Sequence, residues 1–224
     1  MYMLSKYLKW NRIRYNKQNR DRKVNITMEV WTIQPTEALN EIENYGSYRC
    51  DPRRSFNLSK ADSLKPAYKW LMGKMREKIG NEPEGVEYPI WAWHTWDFER
   101  KAPDPEDPSF LKRETEKVLM TLDVPEDKLV LTDFDAWHGV MMNAYVSAAA
   151  TEEEYDAVEE KLESLSGDEL ADEITRSWDN VFLTGRVQTE YLERGRYIQA
   201  TFWEILPEYV KGAEMLPPNA AEEV

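Results

Sequence analysis

The sequence predicts a single α+β domain with a curved mixed sheet, flanking helices and an inserted acidic helical hairpin. The chain has 224 residues, of which 42% are hydrophobic, and this suits one domain with a buried core. Segments of alternating apolar and polar residues are interleaved with segments of helical apolar spacing, so strands and helices share the domain. The domain is expected to cover 28–216, with a separate segment at 1–27 and a frayed tail at 217–224.

The strand predictions rest on alternation and on clusters of β-branched and aromatic residues. The first strand follows Met28, where Val30 and Thr32 alternate with Trp31 and Ile33. Further strands are predicted over 88–93, 116–124, 129–131 and 197–206.

Helices are predicted where apolar residues recur every three to four positions. One begins after Pro35 and ends at Gly46, since glycine suits the position that ends a helix, and a second covers roughly 64–79. Thr151 is followed by three glutamates in the spacing of a capping box. It opens an acidic hairpin at 151–182, whose apolar face includes Trp178 as an expected core residue.

The segment 1–27 differs in charge from the rest of the chain. It holds eight basic residues and one acidic residue, a formal +7, while the whole chain carries -13. The segment is a disordered basic arm, a short surface helix, or an extension upstream of a native start at Met28. We favour the last, because the predicted fold needs nothing before Met28.

Composition argues against several classes of protein and site. The net charge of -13 argues against general nucleic-acid binding. There is no apolar run of about 18 residues, so no membrane span is predicted. The segment 1–27 also lacks the apolar stretch of a secretory signal, so a cytoplasmic location is expected. One cysteine excludes an internal disulfide, and one cysteine with two histidines predicts no structural zinc site.

Two histidines and two aspartates form a candidate catalytic group. His94 and His138 each follow a tryptophan just beyond an extended segment, and Asp133 and Asp135 lie close to His138 in the sequence. An imidazole beside carboxylates can act as a general acid or base near neutral pH. No metal is predicted, since the spacing lacks a metal signature. In the alternative interpretation, Trp93 and Trp137 pack in the core and the two histidines form hydrogen bonds at the edge of that core. Asp133 or Asp135 then caps a helix.

Aromatic side chains on one predicted strand are candidate ligand contacts. Tyr88, Trp91 and Trp93 lie within six residues, and such rings can sandwich a planar base or nicotinamide. Rings of this kind more often form core, which is the alternative for all three.

Arginines after the first helix are candidate anion contacts. Arg49 and Arg53, together with Arg54, are interpreted as the only basic concentration in an acidic body. Guanidinium groups suit phosphate or carboxylate ligands, and local pairing with Asp51 is the alternative. Cys50 is expected to be a small buried thiol.

Several phrases spread over the chain after Met28 resemble an uncharacterised bacterial and phage domain of unknown function. They are WTIQ at 31–34, YRCD at 48–51, AYKWL at 67–71, YPIWAW at 88–93, TDFDAWH at 132–138, SW at 177–178 and QATFWE at 199–204. This resemblance implies a family but no activity.

The opening strand, helix and irregular stretch also resemble the start of ADP-ribosyltransferase-like folds. That resemblance implies NAD as a cofactor, with Gln34 or Thr32 on the early strand, Tyr88 or Trp91 on a middle strand and Glu204 on a late strand. The opening strand lacks the family's usual Arg or His, and no Ser-Thr-Ser motif follows.

Two functions follow from these features. The first is a nucleotide- or NAD-handling enzyme similar to ADP-ribosyltransferases. The second is a non-catalytic phage or mobile-element protein that binds a host protein through its acidic helices. One partly exposed cleft is predicted to gather Arg49, Trp91 or Trp93, His94, Asp133 and Glu204, and its presence would favour the enzyme.

Overall fold

The computed structural model describes residues 26–54, 62–107 and 113–219. The predictions made for 1–25, for the tail beyond Asn219 and for the side chain of Arg54 lie outside the described residues.

Six strands form the main sheet of an α+β domain, as predicted. They are β1 (Thr27–Pro35), β2 (Ile90–Thr95), β3 (Lys117–Pro125), β4 (Val130–Asp133), β7 (Ile198–Phe202) and β8 (Val210–Leu216), in the order β4-β7-β2-β1-β3-β8. Two short strands, β5 (Val187–Gln188) and β6 (Glu193–Arg194), form a separate ribbon. The last predicted strand ends earlier than expected, and β8 follows it after a turn at Pro207–Tyr209.

Every neighbouring pair in the main sheet is antiparallel, which corrects the expectation of a mixed sheet. Strands β1, β7 and β8 run one way and alternate across the sheet with β2, β3 and β4, which run the other way. Helices that lie between strands often join parallel neighbours. Instead, the long connections bring β2 and β3 to opposite sides of β1.

Five helices lie within the described residues. They are α1 (Glu37–Tyr45), α2 (Lys65–Ile79), α3 (Phe134–Met141), α4 (Glu152–Ser164) and α5 (Gly167–Ser177). Gly46 ends α1 as predicted, with a φ of +80° and its N–H donating to the carbonyl of Ile42 at 3.1 Å. The hydroxyl of Thr151 accepts from the N–H of Glu154, as expected of a cap.

The sheet separates two hydrophobic clusters because side chains alternate along each strand. On one face, α1 places Ile42 among buried residues of the central strands, including Val30, Met120 and Phe202. On the other face, α2, α3 and the turn Trp178–Phe182 pack together, and Trp178 is buried as predicted. No helix among the described residues has the length and apolar character needed to cross a membrane.

Candidate functional site

The sequence-predicted site residues divide between the two ends of the β2–β7 strand pair. Ile90 pairs with Phe202 and Thr95 pairs with Ile198. Glu204 lies beyond Phe202, whereas His94 lies beside Thr95, so about six strand positions, or roughly 20 Å, separate them along the strands. The expected single cleft is therefore not formed. Because β2 and β7 are antiparallel, Glu204 after the end of β7 lies beside the beginning of β2, whereas His94 lies near the end of β2.

Arg49 and Glu204 are brought together at one end. Backbone hydrogen bonds of 2.9 Å between Tyr48 and Ile205 align the two segments. Arg49 Nε then donates to the Glu204 carboxylate at 2.9 Å. The Nη1 of the same guanidinium group donates to the carbonyl of Glu84 at 2.8 Å. The Glu204 side chain is 18% exposed. The half-buried carboxylate thus has a basic partner, as a buried charge requires.

Gln34 lies at the same end, on β1. Its amide nitrogen donates to the hydroxyl of Thr32 at 2.8 Å, and that hydroxyl donates to the carbonyl of Trp91 at 2.7 Å. These contacts connect β1 to β2 and engage the amide nitrogen of Gln34 within the sheet.

Arg53 has a local partner, and Cys50 is a half-buried thiol. Arg53 forms two side-chain hydrogen bonds of 2.9 Å with Asp51 and is largely exposed. Burial, with the carboxylates of Asp51 and Glu87, raises the pKa of Cys50 to about 11. The thiol therefore stays protonated at neutral pH and is a poor nucleophile.

At the opposite end, Asp133 is a buried structural carboxylate. One of its oxygens accepts from the N–H of Ala136 at 3.0 Å and caps α3, and the other accepts from the N–H of Gly195 at 2.7 Å. The side chain joins the β4–α3 junction to the segment that enters β7. This geometry is the helix-cap alternative predicted for Asp133 or Asp135.

Asp135 and His138 lie on the exposed side of α3. Partial desolvation and the nearby charge of Asp133 raise the pKa of Asp135. His138 Nδ1 lies 2.9 Å from the carbonyl of Phe134, one turn earlier, and its ring packs edge-on against the Phe134 ring. These local contacts account for the position of His138 without a ligand.

His94 is neutral at physiological pH. Burial and the charge of Arg100 lower its pKa to about 4, and its Nδ1 lies 2.9 Å from the hydroxyl of Thr95. A general acid that works near neutral pH needs a pKa close to that pH. His94 in this environment does not meet that requirement.

Trp91 and Trp93 pack among other aromatic rings. The Trp91 ring lies 6.2 Å from Tyr68 and 5.3 Å from Trp137, between centroids. The Trp93 ring lies 4.7 Å from Trp96, edge to face. Trp93 is buried and Trp91 is half-buried, so both contribute mainly to the core.

A groove beside α2 is a candidate ligand-binding feature that the sequence did not predict. It encloses about 530 Å³ and is lined by Lys65, Pro66, Lys69, Met72, Arg76 and Tyr88. The segment 65–78 holds five basic residues and one acidic residue. The arginines after α1 are therefore not the only basic concentration. The basic residues of 65–78 are a sequence signal for an anion-binding surface. The apolar spacing of the same segment predicts only a helix packed against the core.

The groove combines cations with an apolar floor. Arg76 is held by two hydrogen bonds of 2.7 Å to Glu82. Lys69 is exposed and forms no ion pair or hydrogen bond within the described parts of the chain. The Tyr88 ring is half-buried and meets Tyr68 edge-on at 5.6 Å. Lys69 therefore offers an available positive charge beside a positioned ring.

A second groove lies on the other flank of α2 and shares Pro66 and Lys69 with the first. It encloses about 410 Å³, and its walls include Trp70, Gly73 and Trp178. The Trp70 ring stacks on Phe182 at 5.8 Å and meets Trp178 edge-on at 5.5 Å. These contacts hold the half-buried ring in place, and Lys74 Nζ lies 5.8 Å from its centroid.

Within the described residues, no three histidine, cysteine, aspartate or glutamate side chains are grouped to hold a metal ion. A family model described as a domain of unknown function (DUF3841) matches residues 29–211. No curated protein and no solved structure matches the chain.

Proposed function

The chain belongs to the domain-of-unknown-function family DUF3841, and we propose that this domain binds a phosphate-bearing small molecule of the nucleotide class in the α2 groove. The observation that carries the proposal is Lys69, an exposed cation beside the Tyr88 ring in a chain of net charge -13. A volume of about 530 Å³ lies within the usual range for small-molecule sites, roughly 300–1,000 Å³.

Two physical effects support a nucleotide, and the second of them favours it over an inorganic anion. Ammonium groups attract phosphate through charge-assisted hydrogen bonds. Pro66, Met72 and Tyr88 provide an apolar and aromatic surface, on which a planar base can pack. An inorganic anion would use the cations and leave this surface exposed to water.

ADP-ribosyl transfer from NAD is the finer form of this proposal, with Glu204 as the carboxylate that stabilises charge on the ribose. The geometry supports binding better than transfer. Glu204 is paired with Arg49 at 2.9 Å, and it is not among the residues that line the groove.

Calorimetric titration of the full chain with AMP, NAD and inorganic pyrophosphate tests the proposal. Lys69→Glu should weaken AMP binding by roughly 10- to 100-fold, the range for one charge-assisted hydrogen bond. Lys78→Glu is the matched control, because it makes the same charge change on α2 outside the groove lining. Absence of binding by all three probes, or equal losses in the two variants, would contradict the proposal.

Glu204→Gln separates binding from transfer. If the domain only binds, this variant should bind AMP and NAD like the unmodified chain. If it transfers ADP-ribose, Glu204→Gln should abolish release of nicotinamide from NAD while binding persists.

A non-catalytic phage or mobile-element protein that binds a host protein is the second candidate. No residue of α4 is buried, and its sequence is strongly acidic. Tyr155 of α4 is 41% exposed and lies 6.0 Å from the ring of Tyr191, which is 38% exposed. Exposed rings within an acidic surface suit a basic protein partner.

A further inference from the structure

Gly73 occupies the interior of α2 without a structural reason within the described residues. Glycine is among the least favourable residues inside a helix, because it loses the most backbone freedom on folding. A β-carbon built at Gly73 meets nothing within 4 Å. At Gly139 of α3, a β-carbon would lie 3.1 Å from the side chain of Val146. Gly139 therefore has a packing reason that Gly73 lacks.

The position of Gly73 relates it to both grooves. It lies one turn after Lys69 on the same side of α2, and Lys69 belongs to the wall that the two grooves share. Glycine at this point lowers the helix surface and lets an external group approach the backbone closely.

Each groove contains one half-buried aromatic ring, and the lysine lies between them. Tyr88 is in the first groove and Trp70 is in the second. A base packed on Tyr88 and a base lying beside Trp70 would be joined through phosphates that pass Lys69 and cross α2 at Gly73.

We propose that the occupant is a dinucleotide whose two nucleosides are linked through a pyrophosphate, lying across α2 at Gly73 with one base in each groove. This inference rests on the proposed nucleotide-binding function. A mononucleotide would fill one groove and would not need the low surface at Gly73. A long nucleic-acid strand is disfavoured by the formal charge of -13, since such polyanions are bound mainly through basic surfaces.

The test compares NAD, AMP and a 3′–5′-linked diadenylate in titrations of the full chain. NAD should bind at least roughly 5-fold more tightly than AMP, because stacking of a second base contributes measurably to affinity. Gly73→Leu should reduce NAD affinity to the AMP level. The same substitution should raise the melting temperature by about 2–4 °C, since leucine favours a helix and meets no neighbour at its β-carbon.

Gly185→Leu is the matched control, because its β-carbon would also find nothing within 4 Å and Gly185 lines neither groove. It should leave NAD affinity unchanged. If AMP binds as tightly as NAD and Gly73→Leu has no effect, the dinucleotide inference is overturned while nucleotide binding stands. If the diadenylate matches NAD, the pyrophosphate linkage is wrong. If neither AMP nor NAD binds, the proposed function itself fails.

Discussion

Replacing Asp133 with alanine is expected to destabilise the fold by about 2–4 kcal/mol. The carboxylate is 2% exposed, and its two oxygens accept from the N–H groups of Ala136 and Gly195. Loss of the helix cap costs about 1 kcal/mol, and a buried N–H left without an acceptor costs roughly 1–3 kcal/mol more. Burial lowers the pKa of Arg194, and the negative charge of Asp133 raises it. Asp133 therefore stabilises the charged Arg194 side chain, and removal of the carboxylate adds to the cost.

Urea unfolding followed by circular dichroism measures this change. Asp133→Asn should lower the free energy of unfolding by less than Asp133→Ala does, because the asparagine amide oxygen can still cap α3. Some loss should remain, because the asparagine NH₂ group cannot accept a hydrogen bond from the N–H of Gly195. Asp135→Ala is the control, since Asp135 is exposed in the first turn of the same helix and should cost less than about 1 kcal/mol. A cost below about 1 kcal/mol for Asp133→Ala would show that the carboxylate is not a structural anchor.

Three further predictions concern the core, the pH dependence and the N-terminal segment. Trp178→Ala should cost roughly 3–5 kcal/mol in chemical unfolding, since the ring is 5% exposed; a cost under about 1 kcal/mol would contradict its core role. The pKa of His94 is lowered to about 4 in the folded chain from an ordinary 6.5. The unfolded chain therefore binds this proton at a higher pH, and the free energy of unfolding should fall as the pH drops from 6.5 towards 4. His94→Gln should remove about 1–2 kcal/mol of that fall, after allowance for partial solvent exposure; an identical pH profile would refute this. Deleting residues 1–25 should shift the melting temperature by only a few degrees, because β1 begins at Thr27; loss of cooperative melting would contradict it.

Local signals predicted the elements that depend on neighbouring residues. Alternation identified β1 and β3, and Gly46 and Thr151 marked helix ends, because strand pleating, φ preferences and capping act over a few residues. The weak pattern of β8 was missed. Most of its residues are half-buried or exposed at the sheet edge, so little alternation is imposed on it.

The sequence predicts an α+β domain and the core position of Trp178. Which candidate side chains meet depends on contacts between distant segments. Arg49 is 155 positions from Glu204 in the sequence, and strand pairing brings them together while separating both from His94. The grooves beside α2 also depend on packing, because their walls combine α2 with Tyr88 on one flank and with Trp178 on the other. Contacts between distant segments are set by strand order and by which helix face is buried, and neither is encoded in a local pattern.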